Sequence, residues 1–122
     1  MIASVSVLLV AAGAALGAPA RFVVDRAVTA HTSSELPWGT LLVNVVGSFL
    51  LGVVAHVFAT TGTLIWGVGF CGSFTTYSTL AAQTWELAGR HRGAAVLNIG
   101  CNVVACVFAV WGGLGVGLLL AR

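Results

Sequence analysis

Apolar residues fill three charge-free stretches of the chain, at 1–20, 36–85 and 93–121. A helix that crosses a bilayer needs about 20 predominantly apolar residues. The outer stretches fit one span each, and the middle one fits two. The pattern predicts an all-α integral membrane protein with four transmembrane helices, at about 2–20, 38–58, 62–88 and 94–120, forming a single domain over 1–122. Pro19 and Arg21 are expected to end the first span, and Pro37-Trp38 to mark re-entry, with Trp38 at the interfacial belt. The first span lacks a Lys or Arg before its apolar core, so it is expected to be a membrane helix rather than a signal peptide.

Polar residues within the spans fall at helical spacing. Helix 2 carries Thr40, Asn44, Ser48, Gly52 and His56, four apart, on one slowly drifting face. Helix 4 carries Asn98, Asn102 and Cys106 in the same register. Two asparagines on one face of a membrane helix are costly unless paired, so they are expected to point inward. The helix 2 stripe has two readings: interhelical glue, or a wall of donors along a pore. Gly13 and Gly17 in helix 1, and Gly113 and Gly117 in helix 4, have the small-xxx-small spacing of close helix approach, against a background of glycine being common in membrane helices.

The third span contains Gly69-Phe70-Cys71-Gly72-Ser73-Phe74-Thr75-Thr76-Tyr77-Ser78-Thr79. No charged residue lies between Glu35 and Glu86, so this hydroxyl-rich run sits at membrane depth. Gly72 and the Thr75-Thr76 pair favour a break in the helix there. Irregular backbone at that depth is tolerated only where protein covers it or where it lines a cavity. Broken helices are how membrane proteins build ion sites: the first half offers carbonyls to a cation, the second offers N–H groups to an anion. The sequence therefore points to an ion pathway.

Composition narrows the function classes. Of 122 residues, 59% are hydrophobic and 7% charged, with mean hydropathy +1.07. The formal net charge of +2 gives no reason to expect nucleic acid as a partner. Cys71, Cys101 and Cys106 have no metal-ligand spacing and read as small buried hydrophobes. His31 and His91 fall near loops, and His56 ends a helix. No nucleophile with a nearby base, metal cluster or phosphate loop is evident, so an enzyme is not expected, and Ser78 reads as a pore or packing hydroxyl.

Three motifs, in order and across essentially the whole chain, resemble the Fluc (CrcB) fluoride channels. They are Gly13-Ala14-Ala15-Leu16-Gly17-Ala18-Pro19-Ala20-Arg21, Gly39-Thr40-Leu41-Leu42-Val43-Asn44-Val45-Val46-Gly47-Ser48-Phe49, and the helix 3 run above. The resemblance implies an antiparallel, dual-topology dimer with pores at the subunit interface. It implies passive, selective fluoride export through the plasma membrane by a multi-pass protein. It also implies a structural sodium ion, Na+, held at the dimer centre by backbone carbonyls that map to Gly72 and Thr75. The family's functional arginine and asparagine map to Arg21 and Asn44, and its two phenylalanines to Tyr77 and Leu80. The candidate fluoride pathway is Thr40, Asn44, Tyr77, Ser78, Thr79, Gln83, Asn98 and Asn102. Arg21 belongs to a vestibule or is a snorkelling anchor.

Residue chemistry fits the same pathway. A pore selective for a small, strongly hydrated anion must replace water with donors. Amides and hydroxyls supply N–H and O–H, and aromatic rings present a positive edge. A full positive charge in the pore would hold the ion too tightly for exit. The spans carry many neutral donors and no Lys or Arg.

Five positions depart from the family pattern. Leu80 lacks an aromatic ring, and Tyr77 adds a hydroxyl. Gln83 stands where a Glu is usual, and Asn98 and Asn102 stand where many relatives have Tyr and Ser. Charge is also biased: Arg21, Arg26, Arg90 and Arg92 fall on one side of the four-span arrangement and Arg122 on the other. By the positive-inside rule this places the Arg-rich loops in the cytoplasm. The second subunit is therefore either another copy or an oppositely oriented paralogue, with this chain as a half-active or non-conducting partner. A small multidrug or guanidinium exporter is a further alternative, but it wants an intramembrane carboxylate, and Glu86 lies at a helix end.

Overall fold

The structure, a computed structural model, describes residues 2–33 and 36–122. Helix α1 is Ile2–His31, α2 is Trp38–Val57, α3 covers 60–74, α4 is Ser78–Arg90 and α5 is Arg92–Leu120. Helices α3 and α4 are the two halves of the expected broken span. Three helices are long and apolar enough to cross a membrane: Ala3–His31, Trp38–Val57 and Arg92–Leu120. With the broken pair counted as one span, the four expected helices are present.

Side chains are distributed inside-out relative to a water-soluble protein. Leu8, Phe22, Val107-Phe108 and Trp111 face outward. The buried set includes Thr40, Asn44, Thr76, Asn98 and Asn102. An apolar exterior around a polar interior is what a bilayer solvent selects, since exposed polar groups find no partner there.

The expected end of α1 at Pro19–Arg21 is corrected: the helix continues through Pro19 to His31. Charge limits how much of a helix fits in lipid; it does not end the helix. Proline removes one backbone hydrogen bond, but packing against neighbours lets a membrane helix carry it. Asp25 and Arg26, which the expected spans leave in a loop between the first two helices, lie on the helix, and the Arg26 guanidinium sits 5.7 Å from the Phe22 ring centre. The real terminus is closed by side chains: His31 Nδ1 meets the Ala27 carbonyl at 2.8 Å, and the Thr32 hydroxyl donates to the Val28 carbonyl at 3.0 Å. Glu35, also assigned to that loop, lies outside the described residues.

Two glycine contacts set the packing. A Cβ on Gly13 would collide with the Ile65 carbonyl oxygen, and one on Gly17 with that of Phe70. Helix α1 therefore lies directly on α3. Helices α2 and α5 meet in the same way, through Gly52, Gly113 and Gly117: a Cβ on Gly113 would strike the Phe49 carbonyl oxygen. Both glycine pairs are close-packing motifs in this fold.

Within α3, Thr63–Cys71 is π-helical, flanked by α-helical Thr60–Gly62 and Gly72–Phe74. Wide turns of this kind are rare and frequently occur at functional sites. Nothing in the apolar pattern announced it. The break itself is narrower than expected. Gly72 stays helical (φ −63°, ψ −33°), and the chain leaves the helix at Thr75 (φ −80°, ψ 160°).

Candidate functional site

The site is organised around the interruption at 75–77. Thr75 closes the end of α3 twice over: its N–H donates to the Cys71 carbonyl at 3.0 Å and its hydroxyl to the same oxygen at 2.8 Å. Its methyl group lies against Gly47 of α2, where any Cβ would collide. The Phe70 and Phe74 rings stack at 5.6 Å and fill the last turn of α3. Thr76 then starts α4: its hydroxyl accepts from the Thr79 N–H at 3.2 Å, satisfying one of the free donors of a helix start.

Three helices are tied to the break by one chain of side-chain hydrogen bonds. The Thr76 N–H donates to Asn44 Oδ1 at 2.8 Å. Asn44 Nδ2 donates to Asn102 Oδ1 at 3.0 Å. Asn102 Nδ2 donates to the Asn98 carbonyl at 2.8 Å and to Asn98 Oδ1 at 3.3 Å. Asn98 Nδ2 donates to the Thr84 hydroxyl at 3.0 Å. The chain runs from the break through α2 and α5 to α4. Interhelical hydrogen bonds in membranes are worth only about 0.6 kcal/mol on average, but an orphaned buried amide costs more. The principal effect of the chain is to specify one geometry for the break.

Most other predicted site residues lie near it. Thr40 is almost fully buried, and its hydroxyl donates to Gln83 Oε1 at 2.7 Å, joining α2 to α4. Thr40, Thr76 and Thr79 line a recess of about 180 Å³ together with Arg21 and Asp25. Arg21 thus shares this recess with three hydroxyls and the Asp25 carboxylate. The start of α4 also carries partial positive charge. Tyr77 and Leu80 line a separate groove of about 490 Å³ between α4 and α5, with Thr84 and Trp85. Tyr77 is 83% exposed and Ser78 is exposed too. Gly72 and Thr75 line a third cavity, about 400 Å³, with Asn44, Ser48 and Cys106.

The two readings of the helix 2 stripe divide by residue. Thr40 and Asn44 are bonded to other helices, and Gly52 is a packing contact. Ser48 is half-buried at the third cavity, and His56 is exposed. Asn98 and Asn102 do point inward, into the amide chain. Thr84 and Asp25 were missed by the sequence reading. Their signals were present: Thr84 is one turn from Leu80, and Asp25 is one turn from Arg21. Glu86, the carboxylate weighed for an exporter, is exposed and lies 3.8 Å from Arg90.

Among the described residues no group of three or more His, Cys, Asp or Glu side chains could hold a metal ion. The last turn of a helix leaves carbonyls without partners, and Thr75 turns its own out of the helical direction. Hard cations take oxygen ligands, backbone carbonyls among them.

Residues 8–114 match the family described as CrcB-like protein, Camphor Resistance (CrcB). The chain is 42% identical over 125 residues to a protein of Frankia casuarinae named fluoride-specific ion channel FluC 1, covering 94% of this chain and 95% of that one. A protein of the same name from Nocardia farcinica is 46% identical over 113 residues, covering 89% and 78%. The fluoride-specific ion channel FluC of Methylocella silvestris is 39% identical over 110 residues, covering 81% and 82%.

Proposed function

The chain belongs to the CrcB-like protein family, and from that premise we propose that it is a subunit of a fluoride-specific ion channel that exports fluoride passively across the plasma membrane. It is a channel component and not an enzyme, in keeping with the names of its relatives. The observation that carries the reading is the arrangement of neutral donors. Hydroxyls and amides gather around a broken helix inside an apolar bundle, and one guanidinium, that of Arg21, lines the recess beside Asp25. Arg21 raises the local anion concentration. The hydroxyls of Thr76 and Thr79 then offer weak, multiple contacts of the kind that permits exit, while the Thr40 proton is held by Gln83.

The working unit is an antiparallel, dual-topology dimer in the bilayer, with a structural Na+ at its centre. Gly72 and Thr75 would hold that ion through backbone carbonyls. Two carbonyls from one chain are too few for a hard cation, so the second subunit supplies the rest. The ion would fix the two breaks against each other and is not transported.

A second reading follows from Leu80. The groove that holds the Tyr77 ring has an aliphatic side chain at the neighbouring position, so one positive ring edge is absent. On this reading the partner is an oppositely oriented paralogue, and this chain contributes one half-active pathway. A bacterium stripped of its own fluoride export provides the test. Expression of this chain alone is expected to restore growth in fluoride. Restoration only on co-expression with a paralogue supports the second reading, and none under either condition contradicts both.

A further inference from the structure

Thr84 carries a hydroxyl whose role is dictated by its neighbours. Its oxygen accepts from Asn98 Nδ2 at 3.0 Å. Asn98 accepts from Asn102, Asn102 accepts from Asn44, and Asn44 accepts from the Thr76 backbone N–H. Every bond in this series runs the same way. Reversing one amide would set N–H against N–H and oxygen against oxygen. A backbone N–H can only donate, so Thr76 fixes the sense of the whole series. At the far end the Thr84 oxygen is engaged as an acceptor, and among the described residues no atom accepts its proton.

Thr84 lines the groove of about 490 Å³ between α4 and α5. The other polar side chains of that groove are Tyr77 and Trp85. An indole N–H only donates, and a phenol readily does. Among the described residues no carboxylate or amide side chain lines the groove, and its remaining walls are Leu80, Ile99, Val103 and alanines. Donors without a competing acceptor, set in an apolar wall, suit a small anion.

We propose that Thr84 is a specificity-determining donor, which forms with Tyr77 an anion subsite for fluoride in this groove. The inference rests on the channel reading above and extends the pathway to a residue outside it. Fluoride concentrates its charge on a smaller radius than chloride, so it gains more from a short O–H contact and loses more without one.

The test is fluoride and chloride efflux from liposomes containing the purified full chain. Thr84→Val keeps the side-chain shape and removes the O–H. Fluoride efflux is expected to fall roughly tenfold, the worth of one hydrogen bond to a charged group, and the fluoride-over-chloride ratio to narrow. Thr84→Ser is expected to restore both. Equal fluoride rates in Thr84→Val and wild type overturn the inference and leave the channel reading intact. An equal fall for both anions, with an unchanged ratio, makes Thr84 only a support for Asn98 and also overturns it. A silent wild type overturns the reading that this chain conducts by itself, and the subsite with it. If Thr84→Val does not fold, Thr84→Ala is subject to the same outcomes.

Discussion

Asn102 is the residue on which the most bonds depend. It accepts from Asn44 and donates twice to Asn98, at 2% exposure. Asn102→Leu would leave the Asn44 N–H without its acceptor while adding an apolar side chain of similar size. The expected cost is about 1–3 kcal/mol, read as a lowered Tm of the purified protein in detergent. An unchanged Tm would show that the amide series contributes nothing to stability. Removal of the Asn44 side chain, in Asn44→Ala, is expected to cost at least as much. It orphans both the Asn102 oxygen and the Thr76 N–H at the break.

At the scale of elements, the two close approaches of helices are the sites most sensitive to a single methyl group. Gly13→Ala forces α1 away from the Ile65 carbonyl and is expected to destabilise by roughly 1–3 kcal/mol. Gly115, on α5, has nothing within 4 Å of an added Cβ, and Gly115→Ala is expected to cost nothing. Thermal unfolding of the two variants separates a packing glycine from an incidental one. The spacing Gly13–Gly17 was visible in the sequence, but its partner was not, because sequence spacing defines a face and not what that face meets. The same holds for Asn44, Asn98 and Asn102: their inward orientation was legible, and their joining into one series with Thr76 and Thr84 was not. The interrupted third span was legible because five Ser and Thr residues cluster without charge at membrane depth. The continuation of α1 past Pro19 was not, because charge density reports the lipid boundary rather than the helix end. The π-helical stretch left no trace in an apolar, glycine-containing run that also fits an α-helix.

For the whole molecule, the proposed unit is a pair of copies, or this chain with a close paralogue, held together through the broken helices. Exchange of sodium for a bulky organic cation is expected to lower the Tm of the purified dimer, with restoration on adding sodium back. An identical Tm in both salts would remove the structural ion. Orientation is a separate question. A C-terminal tag accessible equally from both faces of the membrane fits a dual-topology homodimer. A tag accessible from one face only, as the bias of Arg26, Arg90 and Arg92 suggests, favours the paralogue pair.

The central claim is that this chain conducts fluoride, and its most direct test is anion efflux from liposomes that contain the purified wild-type chain and no other protein. The account predicts rapid fluoride efflux with little or no chloride efflux. Well-folded protein that releases neither anion, or both at similar rates, would contradict it.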